Sequence, residues 1–295
     1  MEDILSRLSS GRVIVADGPM GTMLQEAGLP IGTSPEGWLL ENPTPARDVH
    51  RAYVDAGADM ILTCTFGGTR VRLEGGGLAD RVAEVNRRAV EIAREAAAGR
   101  AYVAGDIGPL GQFLAPLGTL TYVQAVEIFF QQAAALAEAG VDVLYIETMS
   151  DLNEVRAAVQ GAREAGPGIP VFSTLSFDSH GRTNMGVRPE EAAQVLLGLG
   201  VDAFGANCGA TLEMTEGAVA KMHQAAPQFP LIVKPNAGKP HLEGERVVYD
   251  ATPEDMAAYA RRFVALGARV VGACCGSRPP HIRAIAQAVS RNLKP

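Results

Sequence analysis

Among 295 residues the chain carries four cysteines, and two of them are adjacent. Gly272-Ala273-Cys274-Cys275-Gly276 follows a short apolar run, and a third thiol ends a similar run in Phe204-Gly205-Ala206-Asn207-Cys208-Gly209. Three thiolates gathered from two strand ends make a soft site with an open fourth position, the layout of a catalytic rather than a structural zinc. The open position is left for a substrate. Free cysteine is also a common small buried side chain, which suits a single cysteine. It does not explain adjacent thiols between glycines, where alanine or valine packs as well. A redox-active vicinal pair is the remaining alternative.

Such a site needs elements that bring distant segments together. A short apolar run, then a polar residue or glycine, then an amphipathic helix recurs along the chain, with runs at Arg12 to Asp17, Asp59 to Thr65, Ala101 to Asp106, Val141 to Glu147, Pro170 to Ser176, Val201 to Asn207, Leu231 to Pro235 and Arg269 to Gly272. Helical spacing of apolar residues lies between them, as in Val82-Val85-Ala89-Ile92 and Met256-Tyr259-Phe263-Leu266. Ala56-Gly57-Ala58-Asp59, Ala139-Gly140-Val141-Asp142 and Leu199-Gly200-Val201-Asp202 are near-copies of one phrase, with Leu266-Gly267-Ala268-Arg269 a variant. Each reads as a glycine ending a helix before a turn into a strand. This alternation predicts an α/β fold, a (β/α)8 TIM barrel formed as one domain over residues 1–295. A doubly wound sheet would want a glycine-rich phosphate loop, and Gly18-Pro19-Met20-Gly21 lacks the spacing.

Barrel active sites gather at the C-terminal ends of the strands. Asp17, Thr63, Thr65, Asp106, Glu147, Ser176, Asn207, Cys208, Asn236, Cys274 and Cys275 all fall there. An acidic residue at such a place also serves as a helix N-cap; that reading weighs more on Asp106 than on Asp17 or Glu147.

The 33 acidic residues exceed the 26 Lys and Arg to give a net charge of -7, and no basic run offers a footprint for nucleic acid or an anionic membrane. The acidic start Met1-Glu2-Asp3-Ile4 is unlike a signal peptide, and no apolar run reaches the length of a membrane span. The expectation is a cytoplasmic protein with reduced thiols.

Taken in order, Asp17-Gly18-Pro19-Met20-Gly21-Thr22, Thr63-Cys64-Thr65-Phe66, Glu147-Thr148, Gly181-Arg182-Thr183, Gly205-Ala206-Asn207-Cys208 and Gly272-Ala273-Cys274-Cys275-Gly276 resemble the homocysteine S-methyltransferase family from about Arg12 to Ala288. Thr65-Phe66-Gly67-Gly68-Thr69 and Ser176-Phe177-Asp178 look most like its stand-alone bacterial betaine-homocysteine methyltransferases. The resemblance implies zinc held by Cys208, Cys274 and Cys275. It also implies an amino acid end of homocysteine held near Asp17, Gly18, Thr63 and Glu147, and Asn207 is counted with the substrate-binding residues. Many relatives carry asparagine in place of Cys64, so this fourth cysteine inherits no role and reads as a small buried residue.

The chemistry expected from that resemblance is methyl transfer to homocysteine, giving methionine. A thiol of pKa about 8.5 is only a few per cent ionised at pH 7, which is the difficulty a zinc site removes. Asp17 and Glu147 would meet the substrate ammonium, and backbone amides near Gly18 and Thr63 its carboxylate. The donor is a small onium compound such as betaine, which favours an aromatic partner; Trp38, in the loop segment Pro35-Glu36-Gly37-Trp38, is the candidate. Other readings keep the site but change the donor to S-methylmethionine or a separate corrinoid protein, or make the chain the homocysteine and zinc-binding subunit of a split methionine synthase. Lys234 as a Schiff-base lysine is unnecessary beside the three thiols. The five histidines fit no ligand spacing; His281 reads as the start of the last helix, and His50, His180, His223 and His241 as surface or loop residues. The oligomeric state is left open.

Overall fold

The structure is a computed structural model that describes residues 1–244 and 246–290. Eight parallel strands form the barrel: β1 (Ile14–Val15), β2 (Met60–Leu62), β3 (Tyr102–Ile107), β4 (Val143–Met149), β5 (Val171–Leu175), β6 (Ala203–Cys208), β7 (Leu231–Pro235) and, after an antiparallel hairpin of β8 (Pro240–Glu243) and β9 (Arg246–Tyr249), β10 (Ala268–Val271). They pair in the order β1-β10-β7-β6-β5-β4-β3-β2, and a parallel bridge between Ala16 and Met60 joins the two ends. All eight runs read from the sequence are barrel strands.

The strands are apolar on both faces because both are covered. Along each strand, alternate residues face opposite ways. Ile14, Met60, Tyr102, Val143, Tyr145, Phe172, Ile232 and Val270 fill the barrel interior, and the helix Ile4–Ser9 plugs its N-terminal mouth with Ile4 and Leu8. Their neighbours Val15, Ile61, Val103, Leu144, Val171, Val233 and Val271 pack outward against the helices.

The repeated glycine phrase does two jobs. Gly57, Gly140, Gly200 and Gly267 have φ of 105°, 83°, 66° and 98°, the left-handed conformation in which a helix ends most easily on glycine. The aspartate two residues on accepts a strand amide at the N-terminal face, Asp59 from Val15, Asp142 from Val103 and Asp202 from Val171, at 3.0, 2.7 and 2.8 Å. Arg7, Arg94 and Arg163 pair with these carboxylates at 2.7, 2.7 and 2.9 Å. One face of the barrel is stitched by ion pairs, which leaves the other free for chemistry.

Three expectations change. Trp38 lies in the helix Pro35–Glu41 rather than in a loop; Ser34 caps that helix through the Gly37 amide, and Pro35 suits its first turn. His50 is not at the surface. It is fully buried on the inner side of the helix Pro43–Ala56, with neither ring nitrogen hydrogen-bonded, and burial pushes its imidazole down to about 4, so it is neutral. The β8–β9 hairpin was not foreseen, because His241-Leu242-Glu243-Gly244 offers too few apolar residues to read as a strand. Among the described residues no helix is long and apolar enough to cross a membrane.

Candidate active site

The loop after β7 fastens the two thiol-bearing segments to each other. Cys208 ends β6 in register with Pro235, and the Cys274 amide donates to the Pro235 carbonyl at 2.7 Å. The Ala237 amide donates to the Cys275 carbonyl at 2.9 Å, and the Asn236 side chain donates to the Gly209 carbonyl at 2.8 Å. Cys208, Cys274 and Cys275 sulfurs consequently lie within 4.8 Å of one another, and the Sγ atoms of Cys274 and Cys275 are 4.0 Å apart.

Thiolates bound tetrahedrally about 2.3 Å from one zinc ion are about 3.8 Å apart. With one pair at 4.0 Å and all three sulfurs within 4.8 Å, the cluster needs about an ångström of closing or less to fit zinc. The sulfurs share hydrogen bonds: those from Cys208 and Cys274 hold the Cys275 thiol well below its ordinary range, and Cys274 is pushed well above it by its bonds to Cys208 and Cys275 and by burial. Cys208 has φ of 60° and Thr148, at the end of β4, φ of 59°. Ala98, the other such non-glycine residue among those described, ends a helix, whereas these two sit at strand ends beside the thiols, where backbone strain commonly accompanies a site.

Asn207 ties the two strained residues together. Its Oδ1 accepts from the Thr148 amide at 2.9 Å and the Thr174 hydroxyl at 2.8 Å, while its Nδ2 donates to the Thr148 hydroxyl at 2.6 Å and to Glu147 Oε2 at 3.3 Å. Beneath lies a buried charge cluster. Lys234 Nζ is 3.3 Å from Asp17 Oδ1, 3.9 Å from Glu147 Oε2 and 5.4 Å from the centroid of the Tyr145 ring. Asp17 Oδ2 also accepts the Leu62 amide at 2.8 Å. Burial opposes the charge on Lys234, but the two carboxylates outweigh it and hold the ammonium above the usual lysine range. Burial likewise pushes Asp17 and Glu147 up, against the pull of Lys234.

Thr63 is close by, with its own polar groups engaged. Its amide donates to the Ala104 carbonyl at 2.9 Å, so it is not free for a substrate carboxylate. Its hydroxyl shares a 2.6 Å bond with that of Thr65 and accepts the Asp106 amide at 3.0 Å. Gly18, Thr63, Asp17, Glu147, Lys234 and Cys274 line a small inner chamber of about 50 Å³.

A cleft of about 580 Å³ leads to the thiols, with Phe66, Glu36, Asp106 and Glu147 among its walls. The structure therefore brings Cys208, Cys274, Cys275, Asp17, Gly18, Thr63, Glu147 and Asn207 together. It does not bring Trp38 there: that ring lines an adjoining cleft with Arg81 and Arg87, which shares Ser34 with the thiol cleft. Cys64 is 4% exposed and forms part of the cleft wall outside the three-sulfur cluster. Burial pushes its thiol well up, as expected of a small buried residue.

Four residues near the site were missed or underweighted. Lys234 and Asp106 share strand parity with the inward-facing Ile232 and Tyr102, a signal present in the sequence. Glu36 was not singled out in the sequence, yet it is 5% exposed and its Oε1 accepts the Gly67 amide at 2.6 Å. Tyr249, on the unforeseen hairpin, covers Gly276 so closely that a Cβ there would lie 2.2 Å from its ring, and its phenol lies beside the Cys275 thiol.

The homocysteine S-methyltransferase family pattern matches residues 14–289. The chain is 34% identical to methionine synthase of Mycobacterium leprae over 98% of its own length, and 34% identical to that of Mycobacterium tuberculosis over 99%. It spans about a quarter of the length of these relatives, 25% and 26%. The crystal structure of the homocysteine methyltransferase MmuM from Escherichia coli, in its metallated form, superposes with a TM-score of 0.81 at 27% identity, covering 96% of this chain and 98% of that one. With its (β/α)8 barrel and clustered cysteines, the chain belongs to the homocysteine S-methyltransferase family.

Proposed function

We propose that this protein transfers a methyl group from a small onium donor to homocysteine, giving methionine, and that Cys208, Cys274 and Cys275 hold the zinc on which the acceptor thiol is bound. The observation that carries this reading is the cluster of three sulfurs within 4.8 Å at an acid-lined cleft. Zinc there supplies a thiolate at neutral pH, because a coordinated thiol gives up its proton. Three cysteinates outweigh the charge of the ion and keep electron density on the acceptor sulfur.

The remaining work falls to the chain. Lys234 balances Asp17 and Glu147 so that both are held at the floor of the site, and Asn207, next to Cys208 on β6, reaches across β5 to Glu147 on β4. Glu36, Asp106 and Glu147 line the cleft with carboxyl groups whose oxygens suit a cationic donor. The new sulfur–carbon bond forms as the methyl carbon's bond to the onium atom breaks, and the leaving amine or sulfide departs neutral. Betaine is the donor expected from the family resemblance, and Phe66 supplies the aromatic face that Trp38 is too far round the rim to provide directly.

A second reading draws on the methionine synthase relatives: the methyl group arrives on a separate corrinoid protein, and this chain is the homocysteine and zinc-binding part of that system. Methionine formation from homocysteine by the zinc-loaded protein, offered betaine, dimethylsulfonioacetate, S-methylmethionine and methylcobalamin in parallel, separates the two. Turnover with a free onium donor that chelation abolishes is expected. Homocysteine binding with no turnover on any onium compound would move the protein to the corrinoid reading.

A further inference from the structure

The segment that carries Tyr249 is tied to the thiol loop through two backbone steps. The Ala237 amide donates to the Cys275 carbonyl at 2.9 Å, and the Ala251 amide donates to the Ala237 carbonyl at 2.9 Å. His281 pins the same segment from the last helix: its Nδ1 accepts the Arg278 amide at 3.0 Å, so its Nε2 donates to the Ala251 carbonyl at 3.1 Å. Gly276, next to Cys275, has φ of 79°, and the Tyr249 ring occupies the space in which a side chain at that position would begin. Glycine is needed there twice over, for its backbone and for the ring. Seated in this way, the partly buried Tyr249 brings its phenol beside the Cys275 sulfur as a hydrogen-bond donor.

Covering Gly276 needs only an apolar ring, which phenylalanine supplies as well, so the hydroxyl calls for its own account. We propose that Tyr249 is a positioning residue for the metal, its hydroxyl donating to the Cys275 thiolate and holding that sulfur in place as a ligand. This rests on the reading that Cys208, Cys274 and Cys275 bind a metal. Three thiolates carry more negative charge than a divalent ion neutralises, and the acceptor sulfur adds a fourth. A hydrogen bond to one of them draws off part of that charge and fixes the direction of the ligand. Cys275 gains most from such a partner, since Cys208 ends a barrel strand whereas Cys275 lies in a loop before the left-handed Gly276.

The test compares wild type with Tyr249→Phe, which keeps the ring on Gly276 and loses only the hydroxyl. Zinc affinity, measured by competition with a chromophoric chelator, is expected to fall about 10-fold in the variant. With cobalt(II) in place of zinc, the sulfur-to-metal charge-transfer band should move to longer wavelength at undiminished intensity, because a thiolate freed of a hydrogen bond gives up electron density more easily. The same displacement should persist with homocysteine bound. An unmoved band in Tyr249→Phe overturns the assignment, whatever the zinc affinity. A displacement that vanishes when homocysteine is added also overturns it, since the phenol would then be a ligand that the substrate replaces. A wild-type protein that binds neither ion would instead overturn the metal reading itself. Should the variant fail to hold cobalt, a crystal structure of the zinc-loaded wild type decides the same question: the Tyr249 oxygen is expected within hydrogen-bond distance of the Cys275 sulfur, and an oxygen turned away from it would contradict the proposal.

Discussion

Cys208→Ser is expected to leave a folded protein that retains no stoichiometric zinc and transfers methyl groups at least about 1000-fold more slowly than wild type. Lost ionisation alone accounts for about 30-fold at pH 7, since a free thiol is only a few per cent thiolate. Losing the fixed placement of the acceptor sulfur adds the rest. A serine oxygen is a poor substitute, because the site is built of soft ligands and Cys208 alone comes from β6, whereas Cys274 and Cys275 share one loop. The fold should tolerate the change, since the side chain is half-buried at a strand end and packs little of the core. Metal analysis with the rate assay checks both parts. Cys64→Ser is the matched control and keeps its zinc, because Cys64 lies outside the cluster.

Lys234→Met is expected to destabilise the protein by about 3 kcal/mol at neutral pH, as removing one partner of a buried charge cluster does. Asp17 and Glu147 would then face each other in the barrel with no counter-ion. Burial already pushes both above the ordinary carboxylate range, and without Lys234 they rise further. Groups whose folded value is raised bind protons that the unfolded chain releases, so stability falls as the pH rises. The deficit relative to wild type should therefore be small near pH 4 and grow toward neutrality, which urea unfolding at several pH values measures. A deficit independent of pH would mean that Lys234 contributes packing rather than charge.

The barrel was legible because each strand run is bounded by the same glycine phrase and because apolar residues at helical spacing separate the runs. The thiol cluster was legible because adjacent cysteines between glycines have little reason to exist as core. What escaped notice was mostly a matter of partners. Strand parity places Lys234 and Asp106 inside the barrel, but only the folded chain shows that Lys234 meets two carboxylates and that Asp106 Oδ1 has no hydrogen-bond partner. Thr63 lies in the inner chamber, and its own amide belongs to the barrel ladder. Trp38 and His50 were misplaced for a common reason: both lie on helices whose inner faces are set by packing between elements remote in sequence, which no local pattern encodes. Tyr249 reaches the thiols only through a hairpin too polar to announce itself.

The central claim is that the three thiolates hold a metal to which the acceptor sulfur binds directly. Cobalt(II) loaded in place of zinc reports this through sulfur-to-metal charge-transfer absorption, which grows with each thiolate bound. Adding homocysteine should intensify that band as a fourth sulfur enters, and homoserine, with oxygen in place of sulfur, should not. A band that stays unchanged while calorimetry shows homocysteine bound would place the acceptor sulfur away from the metal and contradict the account.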